Sequence, residues 1–170
     1  ALMIRIMLVD DHTVLREALR GMLEREPDMQ IVAEAGDGES ALRVARAVAP
    51  EVVIMDVSMR GLDGIETTRR LLAANPAIKV LALSTYRDRR VIQTILDAGA
   101  SGYVVKSAAG AELRRGIRTV VEGRSYLCPE TAEAVADSLR GRQQGPGQAL
   151  SRRERQVLAL IVDGKTSSDI

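Results

Sequence analysis

Phenylalanine and tryptophan are missing from this sequence, and tyrosine occurs three times. The core must therefore be aliphatic, and stacking on nucleic-acid bases is disfavoured as a way of working. A single cysteine, Cys128, excludes an internal disulfide and fits a reducing compartment. A lone thiol of this kind reads first as a small apolar filler. Neither charge sign dominates: 24 Lys and Arg stand against 23 Asp and Glu, a net charge of +1. Nothing in that balance marks the whole chain as a binder of nucleic acid or of a membrane surface. Long apolar runs are lacking too, so no segment can span a bilayer. Ala1-Leu2-Met3 opens no cleavable leader pattern. The expectation is a soluble, cytoplasmic protein.

What is present is a 170-residue chain of 46% hydrophobic residues, enough for one full core and a small second unit. Five apolar runs recur, at residues 4–9, 31–35, 52–55, 78–83 and 103–105. Several are almost continuously apolar and β-branched, as strands covered on both faces are. Helical stripes alternate with them. Val14, Leu15, Ala18, Leu19, Met22 and Leu23 form the first, and Ala41, Leu42, Ala45 and Val48 the second. Asp63 followed by Glu66 opens a third, whose buried face holds Leu71 and Leu72. Val91, Ile92, Ile95 and Leu96 mark a fourth, ending near Gly99. Leu113, Ile117, Val120 and Val121 mark a fifth, with Gly123 at its C-terminal cap. Such alternation predicts a doubly wound α/β domain, a five-stranded parallel sheet with helices on both faces, over residues 1–123.

A linker is expected over residues 124–149, with a helix at about 129–140. Pro129 suits the first turn of that helix, and Ala132, Val135, Ala136 and Leu139 form its stripe. Gly141 to Gln148 reads as flexible. From 150 to 170 a new unit starts. Ser151 and Glu154 make a capping box, followed by a stripe of Val157, Leu158, Ile161 and Val162 that stops at Gly164. Thr166 and Asp169 begin one more helix.

In an open parallel sheet, sites form beyond the carboxyl ends of the strands. Here the first run ends in Asp10-Asp11, the third in Asp56, the fourth in Ser84-Thr85 and the fifth in Lys106. Any one of these has a bland reading. The acidic pair suits a turn and helix cap, Lys106 a surface position, Ser84 a turn, and Tyr103 plain packing. Four polar strand ends at one edge are a different matter. Clustered carboxylates repel unless a cation neutralises them. Oxygen donors favour a hard ion such as Mg²⁺, and a carboxylate beside it can act as a nucleophile on phosphorus. His12, the one histidine, follows the acidic pair at a helix start and reads as a solvated cap. Gly36-Asp37-Gly38 lacks dinucleotide-binding spacing and reads as a turn. Arg152, Arg153 and Arg155 fit phosphate contacts or a solvated face equally well.

The segments Leu-Val-Asp-Asp-His (8–12), Val-Val-Ile-Met-Asp-Val-Ser-Met-Arg-Gly-Leu-Asp-Gly (52–64), Val-Leu-Ala-Leu-Ser-Thr (80–85) and Gly-Tyr-Val-Val-Lys (102–106) together resemble the receiver domains of two-component response regulators. The resemblance implies the flavodoxin-like strand order 2-1-3-4-5 and a phospho-acceptor at Asp56. It also implies Mg²⁺ bound by Asp11, Asp56 and the Ser58 carbonyl, with Asp10 acting through water. Lys106 would hold the phosphoryl group, and Ser84 and Tyr103 would form a coupled switch. In that switch the ring of Tyr103 fills space that Ser84 vacates. A sensor histidine kinase would be the donor, and a homodimer would follow phosphorylation. Two positions depart from the family's habit: Met59-Arg60 replaces Met-Pro, and Ser107 stands where a cis proline often follows the lysine.

Residues 150–158 (Leu-Ser-Arg-Arg-Glu-Arg-Gln-Val-Leu) and 163–170 (Asp-Gly-Lys-Thr-Ser-Ser-Asp-Ile) resemble the LuxR-type helix-turn-helix of the NarL/FixJ branch. That effector has four helices, the third reading the major groove. The sequence as given stops at the second, so specific DNA binding is expected only from a complete C-terminal domain. A fragment of a longer regulator and a naturally truncated one both fit. Two other functions compete with the phospho-switch. An aspartate-nucleophile phosphatase would need an acid two residues after Asp56, where Ser58 stands, and a cap to enclose its substrate. A receiver acting only as an interaction module would use the face around the fourth helix and fifth strand. The expectation is no enzyme beyond self-phosphorylation and self-dephosphorylation.

Overall fold

The computed structural model describes residues 2–127 and, beyond them, residues 129, 131–133, 135 and 136. Among the described residues six strands are present: β1 (Ile4–Val9), β2 (Met29–Ala35), β3 (Val52–Asp56), β4 (Lys79–Ser84), β5 (Gly102–Val105) and β6 (Tyr126–Leu127). They pair in parallel in the order β2-β1-β3-β4-β5-β6. Five helices connect them: α1 (Thr13–Glu24), α2 (Gly38–Val48), α3 (Gly64–Ala74), α4 (Arg89–Asp97) and α5 (Ala109–Val121). The five expected strands and the order 2-1-3-4-5 stand. β6 is an addition, two residues that pair Gly102 with Tyr126 and Tyr103 with Leu127.

β3 explains why the sheet is parallel and central. All five of its residues are buried, because helices cover both of its faces and β1 and β4 cover its edges. Its aliphatic run has no polar alternation to offer a solvent face. Helices α2, α3 and α4 pack side by side, while α5 lies on β3, β4 and β5. The starts of α2, α3 and α4 are set by Asp37, Asp63 and Asp88, whose carboxylates accept from the backbone N–H groups of Ser40, Glu66 and Arg90. Gly36-Asp37-Gly38 is thus a turn and cap.

A polar clamp ties α5 to the turn between α1 and β2. Arg118 donates to both Asp28 oxygens, at 2.8 and 3.0 Å, and to Glu26 at 2.6 Å. The hydrogen bonds from Arg118 hold the Asp28 carboxyl below the usual carboxylate range. A carboxyl with a depressed folded pKa stabilises the fold above its unfolded pKa and loses that effect as pH falls through the folded value. Arg118→Ala should therefore cost about 1 kcal/mol at neutral pH, since the groups are partly exposed. The deficit should shrink in acid. Urea titrations at pH 7 and pH 3 check this; an equal deficit at both would remove Asp28 as the cause.

The chain continues past β6 along the domain. Pro129, Thr131–Glu133, Val135 and Ala136 are helical, in keeping with the expected linker helix, and Thr131 and Val135 are buried. The rest of that helix, Cys128, the flexible stretch and the unit at 150–170 lie outside the described residues.

Candidate phosphorylation site

The strand order reverses between β1 and β3, so the loops leaving these strands part and open a crevice at the carboxyl edge of the sheet. Asp10 leaves β1 and is held by its backbone, where its N–H donates to Ala35 O at 3.1 Å and its carbonyl accepts from Arg16 Nη1 at 2.5 Å. Asp56 closes β3, paired in register with Leu83 of β4. Asp10 is 3% exposed and Asp56 1%, an extreme burial for two carboxylates side by side.

Lys106 Nζ lies 3.3 Å from Asp10 Oδ2 and 3.3 Å from Asp56 Oδ1. The N–H of Ser58 donates to Asp56 Oδ1 at 3.1 Å, the N–H of His12 to Asp10 Oδ1 at 2.8 Å, and the N–H of Arg60 to Asp11 Oδ2 at 3.4 Å. Even so, Asp10 Oδ2, Asp11 Oδ1 and Asp56 Oδ2 accept no properly directed hydrogen bond from the described residues. One ammonium does not balance three carboxylates. Burial, and then the charge of Asp10, push the Asp56 carboxyl up from 3.8 to about 6, against the opposing pull of Lys106 and the Ser58 N–H.

Donor atoms of Asp10, Asp11, His12 and Asp56 all lie within 4.8 Å of one another, close enough to surround one metal ion. Buried carboxylate oxygens without donors are what a hard divalent cation satisfies, so the donor set fits Mg²⁺. Ser58 sits in the loop after β3, beside an open depression of about 620 Å³ also lined by Asp11, Arg60 and Tyr86.

The expected switch residues are joined through one residue, Tyr86. Ser84 Oγ accepts from the N–H of Tyr86 at 3.1 Å, and the Tyr103 hydroxyl donates to Tyr86 O at 2.8 Å. Tyr103 is 0% exposed, so its ring is inside in this structure.

His12 departs from its reading as well. It occupies the N-cap position of α1 but makes no side-chain capping bond, and its ring turns to the carboxylates instead. No cis peptide occurs among the described residues, so Lys106–Ser107 is trans, and a 3₁₀ turn, Lys106–Ala108, follows β5. Sequence reasoning missed Arg16. Its spacing of one turn into α1 was the available signal, but nothing in the sequence says that its guanidinium folds back to the Asp10 carbonyl while pairing with Glu34 at 3.2 Å.

Comparison with known proteins agrees with this geometry. The response regulator receiver domain family matches residues 6–118. The chain is 35% identical over 170 residues to the transcriptional regulatory protein LiaR of Bacillus subtilis, covering 99% of this chain and 81% of that protein. It is 38% identical over 170 residues to the DNA-binding transcriptional activator DevR/DosR of Mycobacterium tuberculosis, covering 99% and 78%. Among solved structures, a LuxR-family two-component response regulator from Aurantimonas sp. superposes with a TM-score of 0.79 at 38% identity, over 81% of this chain and 99% of that one.

Proposed function

The chain belongs to the two-component response regulators, of the NarL/FixJ type, and from that premise we propose that Asp56 is its phosphoryl acceptor and Lys106 the cation that steadies the transferred group. The observation that carries the reading is a buried Asp56 with an unpartnered oxygen, facing Lys106 at 3.3 Å and an acidic pair. A carboxylate oxygen of Asp56 attacks phosphorus. The new O–P bond forms as the donor's bond to phosphorus breaks, and hydrolysis of the acyl phosphate later restores the carboxylate. Asp10, Asp11, Asp56 and the Ser58 carbonyl would hold Mg²⁺, which when bound offsets the negative charge gathered by three carboxylates and a phosphoryl group.

The donor is the phosphohistidine of a sensor histidine kinase, and the output runs to DNA through the complete C-terminal domain, starting near residue 150. No separate substrate is turned over. Among the described residues no helix is long and apolar enough to cross a membrane. Phosphorylation promotes a homodimer in this reading.

Transmission starts at Ser84. A phosphoryl oxygen on Asp56 draws the Ser84 hydroxyl, which then no longer accepts from the Tyr86 N–H, and Tyr86, whose carbonyl accepts from the Tyr103 hydroxyl, loses one of its two anchors. One charge-assisted hydrogen bond contributes about 1.5–3 kcal/mol, enough to shift a near-balanced equilibrium about tenfold or more.

The test is incubation with acetyl phosphate and Mg²⁺, followed by intact-mass and peptide mass spectrometry. One phosphoryl group on the peptide carrying Asp56, absent when the cation is chelated, is the expected result. Labelling that ignores chelation, or falls on another residue, would overturn the assignment.

A further inference from the structure

His12 plays no part in the phosphoryl transfer set out above, yet its ring sits among the carboxylates. Its Nδ1 lies 3.0 Å from Asp11 Oδ1, 3.1 Å from Asp10 Oδ1 and 4.0 Å from Asp56 Oδ2. Ligands about 2.1 Å from one octahedral ion stand about 3.0 Å apart along an edge and about 4.2 Å apart across the centre. The three distances therefore match two edges and nearly one diagonal. A second observation is the state of Asp56. Its buried Oδ2, the oxygen 4.0 Å from His12 Nδ1, has no hydrogen-bond partner among the described residues. Among the described residues the imidazole is held by these carboxylates, and it is 65% exposed, so it can adjust to an ion without disturbing the core.

We propose that His12 is a further ligand of this cation site, supplying an imidazole nitrogen that tilts its preference from Mg²⁺ towards borderline first-row ions such as Co²⁺ and Zn²⁺. The inference rests on the cation-site reading given above. Oxygen-only sets suit Mg²⁺, which keeps its waters. Imidazole suits the later transition ions, and a site with three carboxylates and one imidazole is mixed in character. With an ion on Nδ1 the ring proton sits on Nε2.

Isothermal titration of the full chain with Co²⁺ and with Mg²⁺, in wild type and His12→Ala, decides the matter. Loss of one direct ligand should weaken Co²⁺ binding at least about tenfold, with little change for Mg²⁺, so the Co²⁺ to Mg²⁺ affinity ratio falls. His12 is the chain's one histidine, so ¹⁵N NMR of an untagged sample reports on it alone, and Zn²⁺ should shift Nδ1 far more than Nε2. An unchanged affinity ratio in His12→Ala, with both ions still bound, overturns His12 as a ligand and leaves the carboxylate site standing. Failure of wild type to bind either ion overturns the inference together with the cation site beneath it.

Discussion

Asp56→Asn takes up no phosphoryl group from acetyl phosphate and, with metal chelated at pH 7, unfolds at a higher temperature than wild type. The first half follows from the loss of the nucleophile. The second follows from where the charge sits. Asp56 is 1% exposed beside Asp10, and its carboxyl is pushed up from 3.8 to about 6. A carboxyl with a raised folded pKa favours the fold fully below its unfolded value, and that support disappears as pH rises through about 6. At pH 7 the ionised side chain costs on the order of 2 kcal/mol. The neutral amide removes that cost while its Oδ1 still accepts from the Ser58 N–H. A rise of about 4–8 °C in Tm is expected for a chain of this size. Saturating Mg²⁺ should erase most of the gain, since a cation relieves the same repulsion. Equal melting temperatures in chelator would show that the carboxylates do not strain the free domain.

Gly64→Ala is expected to cost about 3 kcal/mol or more, although alanine is the better helix former by about 1 kcal/mol. Gly64 opens α3, and its N–H donates to Val57 O at 3.1 Å. A Cβ there would fall 2.2 Å from the carbonyl oxygen of Asp56 and 2.8 Å from Val57 Cα. Those are backbone atoms, so no rotamer change relieves the clash. Relief requires moving the loop that aims Asp56, and any folded fraction should be phosphorylated slowly as well. Gly21 is the control. It lies on α1 with nothing within 4 Å of a built Cβ, and Gly21→Ala should leave stability equal or raise it. Urea denaturation of both variants checks the contrast. A Gly64→Ala protein within 1 kcal/mol of wild type would show that helix and loop are not packed as described.

Much of this was legible before any coordinates, for physical reasons that can be named. A strand buried on both faces must be apolar along its length, so β3 announces itself. A strand end that turns polar in four places at one edge is hard to produce by packing alone, so Asp10, Asp56, Ser84 and Lys106 could be gathered from spacing. β6 escaped because Tyr126–Leu127 is too short to carry any periodicity. The direction of the His12 ring escaped because a residue at a helix start has the same neighbours in sequence whether it faces solvent or the crevice. The partner of the Tyr103 hydroxyl escaped because it is the Tyr86 carbonyl, seventeen residues away along the chain.

β6 also bears on where the folding unit stops. Its pairing covers the outer side of β5, with the Tyr126 N–H donating to Ser101 O at 2.9 Å and Tyr126 O so close to Gly102 that a Cβ there would lie 2.5 Å from it. Thr131 and Val135 are buried farther along the chain, and the Thr131 hydroxyl points to Tyr103 O at 3.4 Å. A polypeptide trimmed after α5 would keep all its phosphoryl-transfer residues but bare the backbone donors and acceptors of β5. An uncovered strand of this kind is a template for pairing with a neighbouring molecule. The defect of such a shortened receiver would then be self-association in solution, with its chemistry intact.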